Sequence, residues 1–192
     1  MFQKRQTRED YLKLFSELPH NYSETFPDLP PPLPPHAPEL LVARWVSHDL
    51  RCEDWPNRAA DLLEAGYDTP TLRMLAGEIR VASAADVEPL VARVFRELGV
   101  SYPISERDAR RLTARELARE ALSGRRNVWS VARELRFLAT LEGWQDALLN
   151  GVDECLESID RDPEWRPTVE QLNSDLIELL AQIARRPATA AD

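Results

Sequence analysis

Apolar residues in the last third of the chain fall on a helical period. Trp144, Ala147, Leu148, Gly151, Val152, Cys155, Leu156 and Ile159 follow the i, i+3, i+4, i+7 series, a pattern no strand can produce. Val128, Val131, Leu135, Leu138 and Leu141 repeat it upstream. Downstream, Thr168 and Gln171 make a capping box ahead of Val169, Leu172, Leu176, Leu179, Leu180 and Ile183. These three stripes predict an antiparallel helical trio that forms the stable core.

Shorter helices are expected before it. Leu40, Leu41, Ala43, Trp45 and Val46 belong to one, and Asp54-Trp55-Pro56 opens a second that closes at Gly66. Thr69-Pro70 opens a third that stops at Gly77. Leu90, Val91, Val94, Phe95 and Leu98 give a fourth its inner face, and Pro89 favours a start near Asp86 over Ser83 because proline is harmless only in a first turn. Ser105 caps once and Thr113, with Glu116, caps again, which predicts a kink or a short helix followed by a longer one ending at Gly124. No convincing period-2 strand occurs, so the fold class is all-α, a bundle of about seven to nine helices.

The N-terminus breaks this pattern. Thr7 and Asp10 cap a short helix bearing Tyr11, Leu14, Phe15 and Leu18, and then Pro27, Pro30, Pro31, Pro32, Pro34, Pro35 and Pro38 force an extended arm. The expected organisation is helix plus arm over 1–37, one helical domain over 38–186 and a disordered tail over 187–192. Within that domain, 38–104 carries short helices and 105–186 the antiparallel core. The arm is read as a spacer that lays the first helix against the main body, in cis or on a neighbouring subunit of an oligomer, rather than as a ligand for an SH3- or WW-like groove, since no Arg or Lys flanks its P-x-x-P spacings.

Composition then narrows function. A net charge of -9 over 192 residues disfavours general affinity for nucleic acid or anionic membrane. No run approaches the length of a membrane span, and the basic N-terminus has no apolar stretch behind it, so the protein is read as cytoplasmic with no membrane partner. Cys52 and Cys155 lack paired spacing and are read as free thiols. His48, Cys52, Glu53 and Asp54 crowd together, but a structural metal site needs about four ligands and no second cluster accompanies them; no metal or cofactor is expected. The acidic run Asp153 to Glu164 fails the EF-hand spacing, with Trp165 where glycine is required. No nucleophile elbow, Walker loop or dinucleotide fingerprint is present.

Charge is segregated along the chain. Arg107, Arg111, Arg115 and Arg119 recur at i+4, and from Glu106 to Arg136 nine arginines face five acids. Beyond Glu142 carboxylates dominate. The arginines are read first as an internal counterface to Glu116, Glu120 and the acidic helices, and second as an anion or nucleic-acid site. Asp153, Glu157, Asp160, Asp162 and Glu164, with Trp165 as an aromatic anchor, are the expected contact for a basic partner.

Two resemblances bear on function. Leu112-Thr113-Ala114-Arg115-Glu116 resembles the L-T-x-R-E opening of the helix-turn-helix in quorum-sensing-type response regulators. Gly124 comes too soon, Trp129 stands in the turn region and no polar recognition helix follows, so the segment is read as a capping box. The stretches Trp45 to Gly77 and Ala118 to Asp160 resemble small all-helical proteins of GC-rich bacteria, some of them immunity-like. That resemblance implies a non-enzymatic interaction module, an immunity-type protein that neutralises a basic toxin. A nucleic-acid-binding regulator and an enzyme of unknown type are the alternatives.

Overall fold

The computed structural model describes residues 13, 21–78, 83–141, 143, 145–160 and 167–187. Among these, the chain is all-α, with helices α1 (Pro38–Val46), α2 (Trp55–Glu64), α3 (Pro70–Gly77), α4 (Ala84–Glu97), α5 (Glu106–Leu122), α6 (Val128–Leu141), α7 (Ala147–Ser158) and α8 (Val169–Arg185). A single 3-10 turn, Cys52–Asp54, precedes α2. Apart from Lys13, which is helical, the expected short N-terminal helix lies outside the described residues, as does the tail beyond 187.

The described residues form two compact units, one ending at Pro32 and resuming over Ala114–Pro187, the other covering Leu33–Thr113. The boundary falls inside α5: Ala109 and Leu112 pack with Ala43, whereas Ala114, Ala118, Ala121 and Leu122 join the C-terminal core, on which Tyr22, Phe26 and Leu29 of the arm also pack.

In the unit over Leu33–Thr113, Trp55 is fully buried between Trp45 and Phe95, in edge-on contacts with ring centroids 5.6 and 5.7 Å away. Leu62, Leu72, Leu75, Val87, Val91 and Val94 close around them. Burying each such side chain contributes about 1.5–3 kcal/mol, so this cluster holds four short helices that would be marginal alone. Helices α1, α2 and α4 stop where the chain enters the left-handed region. At Gly66, φ is 92°, Gly66 N–H donates to the Leu63 carbonyl at 3.0 Å and Tyr67 N–H to that of Leu62 at 2.9 Å. His48 takes the same role after α1, with φ 59° and the Asp49 N–H donating to the Arg44 carbonyl at 2.9 Å.

Two helix starts depart from the sequence expectation. The Ser83 hydroxyl accepts from Asp86 N–H at 3.3 Å and donates to the Asp86 carboxylate at 2.7 Å, so α4 begins at Ala84 with Pro89 inside it. The backbone bond that Pro89 cannot donate leaves the carbonyl of Ala85, an exposed residue, to water. Thr113 caps nothing: α5 runs unbroken from Glu106 to Leu122, and the Thr113 hydroxyl donates back to the Ala109 carbonyl at 3.0 Å.

In the other unit, α6, α7 and α8 share one core with Ala114, Ala118, Ala121 and Leu122 of α5. The buried face of α7 is rotated from its apolar stripe. Leu149, Val152 and Asp153 are buried, Leu148, Cys155 and Leu156 are only half-buried, and Ala147 is exposed. Leu141, expected inward, is 51% exposed beside Phe137 at 63%. Asp146 fixes the start of α7, its carboxylate accepting from the N–H groups of Leu148 at 3.0 Å and Leu149 at 3.2 Å. Its other oxygen pairs with Arg186 at 2.5 Å, which ties the start of α7 to the end of α8.

Candidate functional site

Residues 21–32 answer where the arm goes. Tyr22 N–H donates to the Leu122 carbonyl at 2.8 Å, closing the end of α5, and Asn173 Nδ2 donates to the Tyr22 hydroxyl at 3.2 Å. Asp28 pairs with Arg185 at 2.9 Å, and that guanidinium lies 5.4 Å from the centre of the Phe26 ring. The described arm therefore docks on its own chain. The Arg185 hydrogen bond holds the Asp28 carboxyl below the usual range.

The arginines at i+4 do not form one exposed stripe. Arg107 is exposed and Arg111 half-buried, while Arg115 and Arg119 turn inward and share one carboxylate. Glu116 Oε1 accepts from Arg115 Nε at 3.0 Å and Arg119 Nη1 at 2.7 Å, with the three side chains 4, 11 and 12% exposed. Arg119 Nη2 donates onward to the Ala184 carbonyl at 3.2 Å, linking α5 to the last turn of α8. Burial, the largest influence, pulls the Arg119 guanidinium below its ordinary range, against the support of Glu116. Further along, Arg126 pairs with Glu120 at 3.8 Å and more closely with Glu134. Carboxylates of the same segment thus absorb the inward half of the stripe.

The acidic run is likewise divided. Asp153 is buried, 2.7 Å from Arg136 Nε, though the N–H is not aimed along that line and the contact is ionic rather than an aligned hydrogen bond. Arg136 also reaches Glu157 at 3.5 Å, and Asp160 is exposed just past the end of α7. Asp162, Glu164 and Trp165 lie outside the described residues.

Sequence order concealed another group. Glu154 on α7 and Glu170 and Asp175 on α8 are exposed, and no described cation pairs with any of them. Glu154 and Asp175 converge on Cys155: burial first, then these two charges, push its thiol up to about 11. Glu154 of α7 and Asp175 of α8 thus form a carboxylate pair across two helices rather than along one run. The two lie twenty-one positions apart in sequence, and only helix packing brings both near Cys155.

Around Cys52 the geometry is different. The chain between Val46 and Cys52 is not helical, so His48 and Cys52 do not share a helix face, and Cys52 donates to Glu53 at 3.2 Å, the contact that most raises its thiol. Among the described residues, no group of three or more His, Cys, Asp or Glu side chains is placed to hold a metal ion, and no helix is long and apolar enough to cross a membrane. No protein family, curated protein or solved structure matches this chain.

Proposed function

We propose that this protein is a non-enzymatic interaction module whose α7–α8 carboxylate face receives a basic surface of another protein. A basic toxin held by an immunity-type protein is the specific form of that reading. The observation that supports it is the pair Glu154 and Asp175, exposed and without a described cation, beside a thiol that registers both charges, with Glu170 exposed on the same helix as Asp175. Like charges on neighbouring helices repel, and a basic partner relieves that repulsion while gaining a fast, salt-sensitive encounter. A nucleic-acid reading needs an outward arginine stripe, and Arg115 and Arg119 are committed to Glu116.

The test compares two variants of equal charge against a labelled arginine-rich peptide. E154Q/E170Q/D175N and the control E39Q/E64Q/E78Q, which removes three exposed carboxylates of the other unit, each carry -6 in place of -9. At about 0.2–1 kcal/mol per exposed charge, the first should lose roughly threefold to a hundredfold in affinity and flatten its salt dependence. The control should keep most of both. Equal losses in the two variants would remove the α7–α8 face from the account.

A further inference from the structure

Helix α6 turns one row of side chains outward. Its inner side is filled: Val131, Leu135 and Ala139 are fully buried in the core, and Leu138 packs against it. Arg133, Phe137 and Leu141, spaced at i+4, are all exposed, Phe137 at 63% and Leu141 at 51%. Among the described residues, Met74 on α3 is the one other exposed large apolar side chain, and it belongs to the other unit. A single exposed apolar residue needs no explanation, whereas two on adjacent turns make a surface.

The charge on this row is positive. On one flank, Arg136 is held by Asp153 at 2.7 Å and Glu157 at 3.5 Å; on the other, Glu134 is held by Arg126. Arg133 lies between them on the helix surface, and no carboxylate of the described residues pairs with it, although acids outnumber lysines and arginines 33 to 24 in the chain. The Thr140 hydroxyl donates back to the Arg136 carbonyl at 3.2 Å, so it offers nothing outward. Phe137 and Leu141 thus present apolar surface with an uncompensated guanidinium one turn away.

We propose that this row docks an acidic amphipathic helix of another protein, with apolar side chains against Phe137 and Leu141 and a carboxylate on Arg133. The row rises about 12 Å along α6, a length that a partner helix of roughly two to three turns covers. A helix suits the surface because α6 bonds its own backbone groups internally and offers side chains only. An extended peptide would bring N–H and C=O groups to a face with nothing to pair them. A second copy suits it less: antiparallel pairing about Phe137 sets Arg133 opposite Leu141, and two chains of net charge -9 repel. The same net charge disfavours an anionic bilayer.

The test follows the full chain by amide NMR during titration with a hydrocarbon-stapled helical peptide that carries leucines at i, i+4 and i+7 flanked by glutamates. A counterpart with glutamine for every glutamate is the control. The acidic peptide should shift amides centred on 133–141 and bind about threefold tighter than the control, or more. F137A/L141A, which alters exposed side chains only, should weaken both peptides about tenfold or more. R133Q, also at an exposed position, should bring the acidic peptide down to the control and leave the control unchanged. Equal binding of the two peptides, shifts centred elsewhere, or no binding at millimolar concentration would overturn the proposal. So would shifts of 133–141 that appear on concentrating the chain alone, or with phosphatidylcholine–phosphatidylglycerol vesicles but not with peptide, because a second copy or a bilayer would then be the occupant. None of these results involves Glu154, Glu170 or Asp175, so either reading can fail without the other.

Discussion

Replacing Glu116 with leucine should destabilise the unit around α5 far more than its one lost side chain suggests. Glu116 is 4% exposed and its Oε1 is shared by Arg115 at 3.0 Å and Arg119 at 2.7 Å, themselves 11 and 12% exposed. Glu116→Leu leaves two desolvated guanidiniums facing each other with no counter-charge, a change that costs about 3–5 kcal/mol when a buried pair loses one partner. Glu116→Gln keeps an acceptor oxygen and removes only the charge, and should cost less, about 1.5–3 kcal/mol. Native-state hydrogen exchange read over 114–122 and 169–185 measures this within the affected unit, with α2 to α4 as internal reference. Exchange through global opening should speed up roughly a hundredfold to a few thousandfold in Glu116→Leu. The triple change R115M/E116L/R119M should recover more than half of the loss, because well-packed apolar groups replace buried ions at little cost. A Glu116→Leu effect below about 1 kcal/mol would mean that water reaches the cluster and that the argument from burial fails.

Two other predictions rest on titration. The Thr71 hydroxyl, assisted by Thr69, the Thr71 N–H and Arg93, lowers the Glu97 carboxyl from 4.5 to about 2. A depressed acid contributes stability that is whole above its unfolded value and lost as pH falls from about 4.5 through about 2. Urea midpoints of the α3 amide signals should therefore drop across that window in wild type and flatten in E97Q; parallel curves would refute the clamp. Cys155, with its thiol near 11, should alkylate with iodoacetamide at pH 8 a few hundredfold more slowly than an unhindered cysteine, about one thiolate in a thousand. E154Q/D175N should speed this only a few fold, since burial is the leading cause; an ordinary rate in wild type would contradict the placement of Cys155.

Much of the fold is readable because helix ends carry local chemistry. Thr69 accepts from Leu72 N–H, Thr168 and Gln171 cap each other, and Gly66 and Gly99 take positive φ where the apolar periods stop. Local signals mislead where a stronger partner competes. Pro89 argued for a later start, yet the Ser83–Asp86 cap sets the boundary; Thr113 has the spacing of a cap, yet it sits within a continuous α5. The site is less legible than the fold because charges declare their sign in sequence but not their partners. Asp153 lies in the acidic run and is buried against Arg136, whereas Glu154, beside it, is exposed and acts on Cys155 together with Asp175 of another helix. A groove of about 350 Å³ between the arm and the end of α5 left no motif at all, since its walls come from residues 23–32 and 119–125 and meet only after the arm docks.

The central claim is that the carboxylate face across α7 and α8 is where a basic partner binds. Its most direct test is an amide NMR titration of the full chain with an arginine-rich peptide at low salt. The account predicts shift changes concentrated in 147–158 and 169–185, strongest around Glu154, Glu170 and Asp175, and fading as salt is raised. Changes spread evenly over the acidic surface, or centred within 33–113, would contradict it.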